Sequence, residues 1–274
     1  MARLDSALRD ALLDGRTAVV PYLLVDRKRR AQVRRIVRAM AAAGATALEL
    51  GFPFSEPIAD GPFLASAHAR ALANGTTWAD LLAAVRAVAP ILPAAVMTYA
   101  NPLQHRGLDV ALADLSDAGA SGLIVPDLSV EESPPFRAAA RRHGVSLVLL
   151  AAPGVTSARV RRIADRSEGF LYLVGHYGTT GGRARGPPVD LAPIVRSAWA
   201  ANPGLPVLVG FGIRNRASAE KALRSGADGV VVGTAIEQLL GQGSDLGPLS
   251  SFVRAVTGAR RPRGAPRRPS SRLS

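Results

Sequence analysis

Eight short apolar runs, each followed by a stretch with helical spacing, limit what this chain can fold into more than any other feature. The runs fall at 17–24, 47–50, 94–99, 122–125, 146–150, 170–174, 206–209 and 229–232. Near-continuous apolar strands suit a parallel sheet buried on both faces, since an exposed face would alternate with polar residues. Helical spacing predicts a leading helix at 4–13 and helices at 29–43, 63–73, 78–88, 107–118 and 131–143. Further helices are expected at 157–166, 189–200, 216–225, 234–240 and 248–257. Eight strand–helix units predict an α/β fold, a closed (β/α)8 TIM barrel. The rival is an open doubly wound sheet, which carries a Gly-rich turn after its first strand. Here that position reads Leu23-Leu-Val-Asp-Arg27, so the barrel is the better reading.

One domain spanning 1–258 is expected. The 274 residues are 48% hydrophobic, enough to bury a large core. Residues 259–274 are rich in Arg and Pro with almost no apolar side chains, and are expected to be a disordered tail. The net charge of +13 raises the question of nucleic acid. Six of those positive charges sit in 259–274, leaving +7 for the rest, and no aromatic residues interleave with them as a stacking platform requires. A second basic cluster, Arg27-Lys-Arg-Arg30 with Arg34, Arg35 and Arg38, lies on a stretch whose other face is Val33, Ile36, Val37 and Met40. Nucleic-acid binding is therefore not expected. There is no Cys, and no His and carboxylate set has metal-ligand spacing, so neither a metal nor another cofactor is expected. The charged amino terminus lacks the apolar segment of a secretory signal, and no apolar run reaches the roughly 18 residues that span a bilayer. A cytoplasmic protein with no membrane partner is the expectation.

In such a barrel the chemistry sits at the carboxyl ends of the strands. Glu49 ends the second strand, where an unpaired buried carboxylate costs several kcal/mol. Asp60 follows in an Asp-Gly-Pro turn, which taken alone is ordinary turn chemistry. One carboxyl on a strand and one on a loop suit general acid and base roles. After the last strands come Val209-Gly-Phe-Gly-Ile213 and Val232-Gly-Thr-Ala-Ile236, and after the sixth comes Gly178-Thr-Thr-Gly-Gly182. Each alone is weak. Together, with a helix starting at Thr234, they predict a phosphate cup built from Gly181, Gly210, Gly212, Gly233 and Thr234. His68 and His143, placed in or at the end of helices, are expected to face solvent. His105 falls in a loop, and His176 lies near enough to the site to be weighed as a substrate contact.

The block Leu48-Glu-Leu-Gly-Phe-Pro-Phe-Ser-Glu-Pro-Ile-Ala-Asp-Gly-Pro62 closely resembles the signature of the tryptophan synthase α subunit. Tyr99-Ala-Asn-Pro102, Val130-Glu-Glu-Ser-Pro-Pro-Phe-Arg137 and the two glycine loops at 210 and 233 resemble the same family. The likeness runs from about Thr17 to Ala255. It implies retro-aldol cleavage of indole-3-glycerol phosphate to indole and glyceraldehyde 3-phosphate, with Glu49 and Asp60 as catalytic residues. It further implies that Tyr22, Met97, Ile124 and Phe211 line the indole pocket, that Tyr172 contacts substrate close to the carboxylates, and that Thr180 and Gly181 belong to a loop closing on substrate. The implied partner is a tryptophan synthase β subunit in an α2β2 heterotetramer. There are departures: Asp26-Arg-Lys-Arg29 replaces a Gly-Asp-Pro turn, Glu56 stands where Asp is usual, and Thr234 where Ser is usual. Loop six reads Gly175-His-Tyr-Gly-Thr-Thr-Gly181. Competing readings are a lyase working without a β subunit, a catalytically weak barrel kept as a binding or allosteric partner, and another phosphosugar isomerase or epimerase. The last leaves the Glu49–Asp60 block without a purpose.

Overall fold

Alternation along each strand decides where the two cores lie. In the first strand Val20, Tyr22 and Leu24 point to one cluster, while Val19, Leu23 and Val25 point to another. The computed structural model describes residues 3–175, 190–262 and 264–266. Its strands are β1 Ala18–Leu24, β2 Leu48–Gly51, β3 Ala94–Met97, β4 Gly122–Ile124, β5 Ser146–Ala151, β6 Leu171–Val174, β7 Val207–Gly210 and β8 Gly229–Val232. All pair in parallel, and β8 pairs back onto β1 to close the barrel. The inner cluster fills the barrel with Val20, Ala47, Ala95, Val148, Phe170, Leu208 and Val231. The outer one joins the sheet to a ring of helices through residues such as Leu48, Val96, Leu123 and Leu147. Each fully buried aliphatic side chain contributes about 1.5–3 kcal/mol, so both faces of the sheet stabilise the closed form.

The helices are α1 Arg3–Leu13, α2 Val33–Ala42, α3 Pro62–Ala73, α4 Trp78–Val88, α5 Ala100–Arg106 and α6 Leu108–Ala118. They continue with α7 Ser133–Arg142, α8 Ser157–Arg166, α9 Ala192–Ala201, α10 Arg216–Leu223, α11 Thr234–Gly241 and α12 Gly247–Thr257. The leading helix α1 puts Leu4 and Leu8 into the inner cluster, and Asp5 accepts from the Gly169 N–H and the Ser146 hydroxyl. It plugs the amino-terminal end of the barrel and leaves the other end for function. Among the described residues, no helix is long and apolar enough to cross a membrane.

Two local expectations change. The basic stretch does not begin a helix at 29. Arg27–Arg29 form a 3-10 turn capped by the Asp26 side chain, and α2 starts only at Val33. The stretch after β3 holds two helices, α5 and α6, meeting at Gly107, whose φ of 85° ends the first.

The tail also departs from expectation at its root. Ala259 is fully buried, and its carbonyl accepts from the Thr17 hydroxyl at 2.7 Å. Arg261 donates to the Ala227 carbonyl at 2.8 Å and pairs with the buried Asp228 carboxylate at 3.1 Å. Docking here runs through charge and hydrogen bonds rather than apolar area, which is why an apolar count missed it. Residues 267–274 lie outside the described part.

Candidate active site

At the carboxyl end of β2, Leu48 and Leu50 join the outer layer, which turns Glu49 inward. The register sets Glu49 between Tyr22 on β1 and Ala95 on β3. Glu49 is only 1% exposed, and its Oε1 has no hydrogen-bond partner among the described residues. Burial first, and then the Asp60 charge, push its pKa up to about 8. A carboxyl in that position holds its proton at neutral pH and can both give and retake one.

Asp60 comes over the same cavity from the loop between β2 and α3. Its N–H donates to the Pro57 carbonyl at 2.9 Å, and Gly61 and Pro62 then start α3. The Tyr99 hydroxyl, itself accepting from the Ala59 N–H at 3.1 Å, donates to Asp60 Oδ2 at 3.3 Å. Phe54 stacks on the Tyr99 ring with centroids 4.9 Å apart, which holds both ends of the loop against β3. His68, on the buried stripe Leu64, Ala67, His68 and Ala71 of α3, brings Nε2 to 3.4 Å from Asp60 Oδ2.

The two carboxyls open onto one cavity of about 410 Å3 walled by Tyr22, Leu64, Met97, Tyr172, Phe211 and Val231. The tyrosines are placed in the same way. Tyr22 lies over Gly51 and Tyr172 over Gly210, so closely that a Cβ at either glycine would overlap the phenol. Burial is the main reason both phenols titrate well above the usual tyrosine range, with the nearby carboxylates adding to it. Both therefore stay neutral walls of the cavity. Phe211 has φ of 68°, the one non-glycine residue in the left-handed region among those described, and turns its ring edge-on to Tyr172 at 5.8 Å. Backbone of this kind costs on the order of 1–3 kcal/mol and persists where the surroundings require it.

The polar end of the cavity is formed by Gly212, Ile213, Arg214, Gly233, Thr234, Ala235 and Gln238. Gly233 precedes α11 without a side-chain cap, and the first intrahelical bond runs from the Ile236 N–H to the Gly233 carbonyl. The N–H groups of Thr234 and Ala235 therefore precede the hydrogen-bonded ladder, at the positive end of the helix. An anion of phosphate size fits this chemistry. Behind it, Glu237 is buried and accepts from the Leu24 N–H at 2.8 Å and from Arg29 at 2.7 Å. The altered turn after β1 is thereby tied to the helix that starts at the cup.

With two buried carboxyls opening onto a cavity that is part apolar and part polar, at the carboxyl end of a closed barrel, the comparisons to known proteins can be set beside the site. The family model described as tryptophan synthase alpha chain matches residues 8–248. The chain belongs to that family. The alpha chain of Thermobifida fusca is 41% identical over 256 residues, covering 93% of this chain and 94% of that one. The alpha chain of Methanosarcina mazei is 38% identical over 230 residues, with 84% and 83% covered. Among solved structures, tryptophan synthase of Mycobacterium tuberculosis superposes with a TM-score of 0.84 at 33% identity, covering 95% of this chain and 99% of that one. The alpha chain from Legionella pneumophila gives 0.80 at 26%, with 97% and 100% covered.

Within this tryptophan synthase alpha chain fold, Glu49, Asp60, Tyr22, Met97, Tyr172, Phe211, Gly212, Gly233 and Thr234 meet on one cavity. Ile124 and Gly210 do not reach its wall. Ile124 is fully buried in the inner layer, and Gly210 makes room for Tyr172. Thr180, Gly181 and His176 lie outside the described residues. His68 is corrected: it is 2% exposed and faces the site, not solvent. His143 is half-buried, pairs with Asp109 at 3.2 Å and does not line the cavity. Arg214 and Gln238 were not singled out from the sequence, because the strand and helix pattern does not say which loop residues turn inward. Among the described residues, no group of three or more His, Asp or Glu is placed to hold a metal ion.

Proposed function

We infer that this chain is a carbon–carbon lyase of tryptophan biosynthesis, cleaving indole-3-glycerol phosphate to indole and glyceraldehyde 3-phosphate. Family membership carries the reaction, and the single observation that carries the assignment of roles is Glu49, buried at the barrel mouth with Oε1 unpaired. Protonated Glu49 gives its proton to indole C3 while Asp60 takes the proton from the indole nitrogen, leaving a C2=N double bond. Glu49 then takes the proton of the hydroxyl on the carbon attached to C3. The C=O of the aldehyde forms, the bond from that carbon to C3 breaks, and its electrons restore the ring as Asp60 returns the proton to nitrogen. Both carboxyls end as they began, so no redox or metal step is needed. Tyr22, Met97, Tyr172 and Phe211 hold the ring, and the amides at Gly212, Thr234 and Ala235 with the Thr234 hydroxyl take the phosphate. Thr180 and Gly181 are assigned to closing the site over the substrate.

The partner that this membership assigns is a tryptophan synthase β subunit, in an α2β2 assembly, and the compartment assigned is the cytoplasm. The test is to incubate the purified chain with indole-3-glycerol phosphate in D2O, alone and with a β subunit. Indole and glyceraldehyde 3-phosphate should appear in equal amounts, with one deuterium at indole C3. Absence of indole under both conditions would reject the reading.

A further inference from the structure

His68 is a buried titratable group beside Asp60 that the scheme above does not use. It sits in the middle of α3, is 2% exposed, and makes three contacts. The Phe54 N–H donates to its Nδ1 at 3.1 Å, its Nε2 lies 3.3 Å from the Tyr22 hydroxyl oxygen, and the same Nε2 lies 3.4 Å from Asp60 Oδ2. The first contact settles the tautomer. A backbone N–H can only donate, so Nδ1 carries the lone pair and Nε2 carries the hydrogen. A doubly protonated ring would set two N–H groups against each other at Phe54, and burial holds the pKa of His68 down at about 4. The contact with Asp60 is therefore a neutral N–H facing a carboxylate, not an ion pair.

One oxygen thus meets the Tyr99 hydroxyl, which hydrogen-bonds it, and the His68 ring, whose Nε2 is hydrogen-bonded to the Tyr22 hydroxyl and lies close enough to Asp60 for an electrostatic contact. The Tyr99 hydroxyl reaches Asp60 Oδ2 at 3.3 Å from the β3 side, and His68 Nε2–H faces it from α3. Both side chains are themselves fixed by backbone N–H groups of the same loop, Ala59 for Tyr99 and Phe54 for His68. The loop that carries Asp60 is therefore clamped at two backbone points, and the clamps also aim the carboxylate.

We propose that His68 is a positioning residue for Asp60, fixing the plane of its carboxylate through the Nε2–H that the Phe54 N–H enforces. The inference rests on the reading of Asp60 as the group that exchanges the indole N–H proton. A carboxylate free to rotate about its last bond takes that proton from fewer of its orientations, so the loss should appear in turnover more than in binding.

Two measurements test it. Nitrogen-15 spectra of histidine-labelled protein at pH 7 should show His68 neutral with hydrogen on Nε2, and Asp60→Asn should move the Nε2 signal more than Nδ1. A protonated ring, an Nδ1–H tautomer, or an Nε2 signal indifferent to Asp60→Asn would overturn the contact. This spectrum does not depend on turnover, so it separates failure of the contact from failure of the lyase reading. The second measurement is kcat and KM for indole-3-glycerol phosphate in four variants. His68→Leu should lower kcat by about 10- to 100-fold, with KM changed by less than about three-fold. His68→Gln, whose side-chain amide N–H reaches where Nε2–H was, should recover most of that loss. His68→Asn, which reaches only the Nδ1 position, should not. Recovery by Asn but not by Gln would reduce His68 to an anchor for Phe54. Tyr22→Phe reproducing the full loss would mean that His68 serves the tyrosine instead. Either result overturns the proposal.

Discussion

Replacing Glu49 by Gln should make the protein more stable at alkaline pH while removing its lyase activity. In the folded chain this carboxyl titrates at about 8 instead of 4.5 because it is buried, with Asp60 adding to the shift. The folded state therefore binds a proton that the unfolded state releases, and stability falls as pH rises between those two values. Below the lower value both states are protonated and the difference vanishes. One pKa unit corresponds to 1.36 kcal/mol, so between pH 5 and pH 8 the buried carboxyl costs the wild type about 3 kcal/mol more. Gln has nearly the same shape but does not titrate. Burying its amide adds a constant to both pH values, which cancels in the double difference. The assay is urea unfolding of wild type and Glu49→Gln at pH 5 and pH 8. The variant should gain about 3 kcal/mol relative to wild type on going from pH 5 to pH 8. A double difference below about 1 kcal/mol would mean that Glu49 titrates like a solvated carboxylate, and the argument for its double role as acid and base would fall.

Three further perturbations follow from particular contacts. Thr234→Val removes a hydroxyl from the cup and should raise KM for the phosphorylated substrate by about ten-fold, with little change in melting temperature, in a steady-state assay. Arg29→Ala leaves the buried Glu237 without its cation and should destabilise the fold by about 3 kcal/mol in denaturant titration; an unchanged midpoint would show that Glu237 is satisfied by other means. Truncation after Gly258 removes the Thr17–Ala259 and Arg261–Asp228 contacts, so it should lower stability by about 2–4 kcal/mol while the rate per folded molecule stays the same.

The barrel was legible because its strands are apolar on both faces, and that composition has few other uses. The carboxylates were legible as a block, Glu49 through Asp60, in which neither residue alone says much. What escaped was decided by contacts far apart in sequence. His68 reads as a polar residue in a helix, yet it shares the spacing of Leu64, Ala67 and Ala71, the stripe that α3 buries. That periodicity was a signal, since a His on the apolar stripe next to Asp60 has to find polar partners inside. Arg261 finds Asp228 at the floor of the barrel, and no local pattern announces a partner 33 residues away. Arg29 likewise meets Glu237 from the opposite end of the chain, across the closure of β1 on β8. The turn after β1 is held in part by that ion pair, a contact that exists only when the barrel is closed.

The account stands most directly on the lyase rate of Glu49→Gln and Asp60→Asn, measured with indole-3-glycerol phosphate under saturating conditions and with folding checked by circular dichroism. Acid–base steps by a positioned side chain contribute about 10²–10⁴-fold, so each variant should lose at least about 100-fold in kcat while remaining folded. A folded Glu49→Gln or Asp60→Asn enzyme within a few-fold of the wild-type rate would place the chemistry elsewhere in the barrel.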